Sequence, residues 1–501
     1  MGDAFVAVAQ QFPEVLAYVE GDQRMTFAEW FRRSDALATD LLHGGLQAGD
    51  VVSILLPSSI DYAVMFGAAV LAGAVVTGLN TRLGVKEVEA ILGQLHSHTI
   101  VVDPDSFSFP VVDFVQRAPH QRILLRAHMK TSRGGEGTQY HRVLRKSDDP
   151  VVIIWTSGTT GIPKGAWFDH RSMLAAVASA GVMSRGFDVK LVSTPFAHAG
   201  YMAKMWDQIA WVTTAVISPQ PWCAADMLRL LIDERVTVAG GVPTQWAKLL
   251  QEPGIDSADL SHLRLGLVAT APASPELIER VAATIGCPLV VRYAMTESPS
   301  ITGTHPHDDP QVQTRTVGRA QFGMSVQVID GDGHQVPVGS VGRVRVRGSC
   351  VMRGYWNNPT LTTACLDTEG WLTSTDLGRF DALGNLVLVG RTNDMYIRGG
   401  YNVYPLEIEN LLAEHPAVDR AAVVGVPAAV IGEMGVAFVV PVDSQSPPTL
   451  NDVRFWVSQH LADYKMPDRL EIVSELPLTA MMKVDRQVLI ELAEGTGGFL
   501  Q

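Results

Sequence analysis

Short β-branched runs alternate with longer helix-period stretches over several hundred residues of this chain, and that alternation leaves few folds open. Val51-Val52-Ser53-Ile54-Leu55, Thr99-Ile100-Val101-Val102 and Val151-Val152-Ile153-Ile154 read as buried strands. Residues 28–42 and 227–234 carry helical spacing. The expectation is a layered α/β architecture with largely parallel sheets. Around 326–347 the helices give way to patches such as Val344-Arg345-Val346-Arg347, which predict an antiparallel β unit. A chain of 501 residues exceeds one ordinary core. The polar stretch 130–149 reads as a loop into the strand at Val151, and a boundary falls after Gly390-Arg391-Thr392-Asn393-Asp394. Beyond it a compact α+β unit begins. Its clearest helix sets Val453, Trp456, Val457, His460 and Leu461 on one buried stripe, with His460 read as a core histidine.

Hydrophobic residues make up 47% and charged residues 18%, which argues against extensive disorder. The formal net charge is −13 and there is no basic run, so nucleic acid is a poor partner. Cys223, Cys287, Cys350 and Cys365 form neither a CxxC pair nor a cluster with histidines, so no disulfide framework or zinc site is indicated. The N-terminal residues lack the basic region of a signal peptide. Residues 62–79 are uncharged, but Gly67, Gly73 and Gly78 interrupt them. They read as a buried helix to about Leu71 followed by the strand Ala74-Val75-Val76, not as a membrane span. A cytoplasmic protein without a transmembrane segment is expected, with peripheral membrane contact and homo-oligomerisation left open.

Directly after the strand at Trp155 comes Thr156-Ser157-Gly158-Thr159-Thr160-Gly161-Ile162-Pro163-Lys164-Gly165. Small residues let a backbone wrap an anion, hydroxyls donate further hydrogen bonds, and Lys164 adds a point charge. The Gly-Lys-Ser/Thr ending of a Walker A loop is absent. The segment resembles the phosphate loop of the adenylate-forming superfamily: acyl-CoA synthetases, peptide-synthetase adenylation domains and beetle luciferases. Further matching motifs follow in order over nearly the whole chain. They are Tyr293-Ala294-Met295-Thr296-Glu297, then Val341-Gly342-Arg343 through Gly354-Tyr355-Trp356 and Gly370-Trp371-Leu372 to Asp376. Next come Gly390-Arg391, the loop Gly399-Gly400-Tyr401-Asn402-Val403-Tyr404-Pro405 with Glu407 and Glu409, and Pro477 to Arg486 around Lys483.

The resemblance implies a large, multi-lobed N-terminal α/β body with a β-rich subdomain over 1–391, and a small mobile α+β C-terminal domain over 394–501. It implies an ATP-dependent acid–thiol ligase that uses Mg²⁺ and coenzyme A on a carboxylic acid. Lys483 would bridge the substrate carboxylate and the α-phosphate. Thr156, Ser157, Gly158, Thr159, Thr160 and Lys164 would hold phosphates, with Thr160 and Glu297 on the metal and Thr296 in support. Thr270, Ala271, Tyr293, Ala294 and Met295 would flank the nucleotide, Tyr293 by stacking on adenine. Asp376 and Arg391 would take the ribose region. Gly399, Gly400 and Tyr401 would line the pantetheine tunnel after a swing about Asn393. Pro195-Phe196-Ala197-His198-Ala199-Gly200 resembles the acyl gate, with His198 at the entrance. By analogy the acyl pocket draws on Tyr201, Trp206, Gly240, Gly241, Val242, Gln245, Trp246 and Met295, although the tryptophans read equally well as core. An apolar lining without an ammonium-binding aspartate suits an aliphatic or alicyclic acid.

Several family glycines are replaced: Ala294, Thr375 and Met482 stand in glycine slots, and Val268-Ala269-Thr270-Ala271-Pro272 stands where relatives show Gly-Gly-Ala-Pro. The charged and aromatic side chains are nevertheless all present. Competing readings are a ligase that loads a carrier protein, a degenerate nucleotide- or acyl-binding homologue and, more remotely, a luciferase-like oxygenase.

Overall fold

The computed structural model describes residues 1–129, 143–156, 163–269, 273–479 and 483–496. Their strands form four sheets. A seven-stranded sheet has Val51–Leu55 at its parallel centre, between Val75–Gly78 and Ser97–Val102. A nine-stranded sheet runs parallel from Leu289–Met295 through Leu265–Ala269, Val238–Gly241, Val189–Val192 and Thr214–Ile217 to Leu16–Glu20. Its edges are antiparallel hairpins. The antiparallel unit read around 326–347 is a four-stranded sheet of Met324–Ile329, Gly342–Gly348, Leu372–Phe380 and Leu386–Arg391. A five-stranded sheet built from Tyr396 onward makes the smaller C-terminal unit.

Local chemistry sets these elements. Helix Phe27–His43 starts on a reciprocal cap, in which the Glu29 amide donates to Thr26 Oγ1 and the Thr26 amide donates to Glu29 Oε2. Every residue of helix Ile60–Leu71 is buried, which accounts for the uncharged run at 62–79. The strand after it is Val75–Gly78. No helix among the described residues is long and apolar enough to cross a membrane. One expectation fails in the C-terminal unit. Helix Leu450–Ser458 stops after nine residues, so His460 lies beyond it and is exposed, with Nδ1 3.2 Å from the Trp456 carbonyl. The apolar spacing of the sequence runs on past the point where the backbone leaves the helix.

Gly78 marks where the two large sheets meet. A Cβ there would collide with Tyr62 Oη and come within 3.0 Å of Ala197 Cα, in the segment leading to His198. Backbone cannot yield as a flexible side chain can. Gly78→Ala is expected to cost about 1–3 kcal/mol by overpacking, read as a lowered denaturation midpoint. The Tyr62 hydroxyl is buried without a hydrogen-bond partner among the described residues, so adding Tyr62→Phe should recover part of the loss. An unchanged midpoint in the single variant would contradict this packing.

Candidate active site

Open parallel sheets present ligand sites at the carboxyl ends of their strands. In the nine-stranded sheet those ends carry the segment from Ser193 to His198, then Gly241, Ala269 and Met295. The glycine-rich segment joins two antiparallel strands whose last pair is Thr156 with Lys164. Ser157, Gly158, Thr159, Thr160, Thr270, Ala271 and Met482 lie outside the described residues.

Asp376 is a hub of the site. It stands opposite Arg391 across two neighbouring strands, and Arg391 Nε donates to its Oδ1 at 2.8 Å. Tyr293 Oη, from the nine-stranded sheet, donates to Oδ2 at 2.5 Å. The Asp376 amide donates to Ser374 Oγ at 3.1 Å. Burial and the Asp376 charge push the Tyr293 phenol well up, which keeps it a donor. Burial pulls Arg391 down, but Asp376 outweighs it and holds the guanidinium above its ordinary range.

Thr296 and Glu297 form the turn between Met295 and Ser298, which pair across a tight hairpin. Tyr355 Oη donates to Glu297 Oε1 at 2.7 Å, and the Met352 amide donates to the Glu297 carbonyl at 2.8 Å. Lys164 Nζ lies 5.8 Å from the centre of the Tyr355 ring. Burial and Glu297 raise the Tyr355 phenol, so it too remains protonated. Glu297 Oε2 has no hydrogen-bond partner among the described residues. One carboxylate with an open oxygen suits magnesium, which takes its other ligands from phosphates and water.

Lys483 comes from the C-terminal unit. Its narrow loop is closed by the Thr479 amide donating to the Lys483 carbonyl at 2.7 Å and by the Asp485 amide donating to the Pro477 carbonyl at 2.8 Å. At the loop's base, Arg486 pairs with Glu409 at 2.8 Å and with Asp394, beside Asn393, at 3.4 Å. Burial, then the Arg391 cation, lower the Lys483 pKa, while Asp376 and Glu297 act in the opposite sense. His198 feels Lys483 as well: burial first, and that positive charge second, press its pKa down to about 4. The imidazole is therefore neutral near pH 7. Its Nδ1 accepts from the Gly200 amide at 3.2 Å, which leaves the proton on Nε2.

The structure thus gathers Lys483, His198, Glu297, Asp376, Arg391, Tyr293 and, through Tyr355, Lys164. It does not bring Gly399, Gly400 and Tyr401 to them. Both glycines have positive φ, +57° and +87°, in the exposed turn of a hairpin. Tyr401 stacks on Tyr464 at 4.6 Å, beside a cleft of about 460 Å³ bordered by Arg398 and Arg454.

Most side chains expected in the acyl pocket are buried. Trp246 is fully buried and donates its indole N–H to the Leu267 carbonyl at 2.9 Å. Trp206 packs edge-on against Phe66 at 5.5 Å. Tyr201 stacks on Phe196 at 3.5 Å, and its hydroxyl lies 2.7 Å from that of Tyr18. Gln245 Oε1 accepts from the Val242 amide at 3.0 Å and caps its own helix. Gly240 accepts from Ser193 Oγ through its carbonyl. Gly241 and Val242 sit at the strand end, and Met295 is half-buried at the hairpin.

Among the replaced glycines that lie in the described residues, Ala294 and Thr375 carry little strain. Ala294 sits at a register irregularity between Tyr293 and Met295, and Thr375 is exposed with its carbonyl accepting from the Thr392 amide at 2.8 Å. Neither has positive φ. Two contributors to the site received no role from sequence: Tyr355, inside the motif Gly354-Tyr355-Trp356, and Ser374.

Two α/β bodies with a β unit, and a C-terminal unit that brings Lys483 into the field of Asp376 and Glu297, define an adenylate-forming enzyme. The chain belongs to the AMP-binding enzyme family: the family model "AMP-binding enzyme" matches residues 5–356, and "AMP-binding enzyme C-terminal domain" matches 407–483. It is 32% identical to the fatty acid–[acyl-carrier-protein] ligase ScoC of Streptomyces coeruleorubidus, over 96% of this chain and 94% of that one. It is 30% identical to the long-chain-fatty-acid–CoA ligase FadD13 of Mycobacterium tuberculosis, over 97% and 96%. The crystal structure of ATP-bound MatB from Rhodopseudomonas palustris superposes with a TM-score of 0.89 at 28% identity, covering 99% of both chains.

Because Asp376 holds a phenol and a guanidinium at once, Asp376→Asn is expected to weaken ATP binding by about tenfold or more, roughly 1.4 kcal/mol. Calorimetric titration checks this, and unchanged affinity would remove Asp376 from the nucleotide site.

Proposed function

We propose that this enzyme is an ATP-dependent carboxylic acid–CoA ligase that forms an acyl-adenylate and then an acyl-CoA, with an aliphatic or alicyclic acid as substrate. The observation that carries the reading is the Lys483 ammonium in one electrostatic group with Glu297, Asp376 and Arg391, beside a neutral His198. A carboxylate attacks the α-phosphorus of ATP, a phosphorus–oxygen bond forms, and pyrophosphate leaves. Both reactants are anions, so a placed cation is the main requirement. Lys483 supplies it between the two. Arg391 and Asp376 orient the ribose, Tyr293 offers a face to adenine, and Lys164 with the glycine-rich segment takes the outer phosphates. Magnesium, held by Glu297 and Thr160, would neutralise phosphate charge.

In the second step a thiol attacks the acyl carbon, a thioester forms and AMP leaves. This step needs Lys483 withdrawn and the Gly399-Gly400 turn brought in. We assign the pivot to Asn393, between units 1–391 and 394–501. The ion pair of Arg486 with Asp394 supports this reading, because it ties the base of the lysine loop to the residue beside the pivot. The cysteines among the described residues are free, which suits the cytoplasm. A carrier-protein thiol is the second reading, favoured by the likeness to ScoC.

The test is pyrophosphate release from Mg·ATP across a panel of carboxylic acids, with and without CoA. Acid-dependent release with acyl-CoA formation is expected. Release with transfer only to a carrier protein would select the second reading, and ATP binding without release on any acid would contradict both. Adenylation should also show an alkaline limb. Lys483 must be a cation, and its folded pKa is lowered, so activity should be lost as pH rises, at a pH below the ordinary lysine range. Thioester formation from supplied acyl-AMP should lack that limb. A shared limb would mean that another group titrates.

A further inference from the structure

A short segment, 352–356, bridges the two parts of the site assigned above to the outer phosphates and to the metal. On one side it runs antiparallel to strand Lys164–Asp169, which leaves the glycine-rich segment. There Tyr355 stands opposite Ala166, and the Trp356 amide donates to the Gly165 carbonyl at 2.7 Å. On the other side it holds the hairpin turn that carries Glu297. The Met352 amide donates to the Glu297 carbonyl at 2.8 Å, and Tyr355 Oη donates to Glu297 Oε1 at 2.7 Å. The Tyr355 ring also lies 5.8 Å from Lys164 Nζ, within reach of a cation–π contact. One side chain thus meets both the carboxylate and the lysine.

Tyr355 is itself firmly held. Its amide donates to Thr362 Oγ1 at 2.9 Å, and its carbonyl accepts from the Asn358 amide at 3.1 Å. Both partners belong to helix Pro359–Cys365 or to the Asn358 that caps it. The hydroxyl therefore projects from a fixed point. Glu297 is placed differently: it lies half-buried on a turn, and among the described residues no other donor touches its carboxylate. Magnesium tolerates little departure from octahedral geometry, so a carboxylate free to swing on its stem is a poor ligand. A donor that holds one oxygen limits where the other can stand. Groups behind a metal ligand set its affinity in this way.

We propose that Tyr355 is a positioning residue for the metal ligand: its hydroxyl holds Glu297 Oε1 so that Oε2 is presented to the magnesium of Mg·ATP. This rests on the reading of Glu297 as that ligand and deepens it. The role is exercised through Glu297, so without that carboxylate the hydroxyl has no effect on the metal.

The experiment is titration of Mn²⁺ into the full-length enzyme held in excess over ATP, with free Mn²⁺ read by electron paramagnetic resonance, beside calorimetric titration of ATP without metal. Tyr355→Phe removes the hydroxyl and keeps the ring by Lys164. It should raise the apparent Mn²⁺ dissociation constant by about tenfold and leave metal-free ATP affinity at the wild-type value. Glu297→Gln should weaken Mn²⁺ at least as much, and Tyr355→Phe should add nothing further in that background. Wild-type Mn²⁺ affinity in Tyr355→Phe, beside a loss in Glu297→Gln, would overturn the positioning role and leave Glu297 as the ligand. Wild-type affinity in Glu297→Gln would overturn the metal reading, and the positioning role with it. Losses that add in the double variant, or an equal loss of metal-free ATP binding in Tyr355→Phe, would mark the tyrosine as structural and overturn the proposal as well. No acid enters these titrations, so their outcome is separate from the pyrophosphate-release test of the ligase reading.

Discussion

A single carboxylate, Asp376, receives a phenol from the nine-stranded sheet and a guanidinium from the next strand of its own sheet, and it lies within the field of the Lys483 ammonium. Charge in a largely buried site is tolerated when it is paired and hydrogen-bonded. Asp376 meets that condition through partners on three separate parts of the chain: the main parallel sheet, the antiparallel unit and the C-terminal loop. Removing it would leave Arg391 and Lys483, two like charges, facing each other with less to offset them. The geometry of the nucleotide region and the approach of the lysine loop therefore depend on the same interaction.

The C-terminal unit is built to deliver one side chain. Its lysine loop is a narrow hairpin, and Arg486 ties the base of that hairpin to Glu409 and to Asp394. A rotation about the neighbouring residue would carry the base of the loop with it. The exposed Gly399-Gly400 turn belongs to the five-stranded sheet of the same unit, so the motion proposed above would exchange one loop for the other. Two chemical steps with opposite demands, a cation at the phosphate and then open access for a thiol, can thus share one acyl site.

The parallel core was legible because β-branched runs such as Val51–Leu55 can bury both faces only in a covered sheet. The motifs around Tyr293, Glu297, Asp376, Arg391 and Lys483 were legible too, because each combines a charge with backbone-shaping neighbours. Harder features depend on contacts between distant segments. Trp206 and Trp246 look alike as core or as pocket lining in the sequence, and the structure shows both fully buried, in two different hydrophobic clusters. His460 follows a helical stripe that the backbone abandons two residues earlier. Tyr355 shows itself as a partner of Glu297 only once a 58-residue separation is closed.

The central claim is that Lys483 serves the adenylation step and is withdrawn for the thiol step. The direct measurement compares wild type and Lys483→Ala in the two half-reactions: pyrophosphate release from ATP and acid, and thioester formation from supplied acyl-AMP and CoA. The account predicts loss of the first by several orders of magnitude with the second largely intact. Equal loss in both would contradict it.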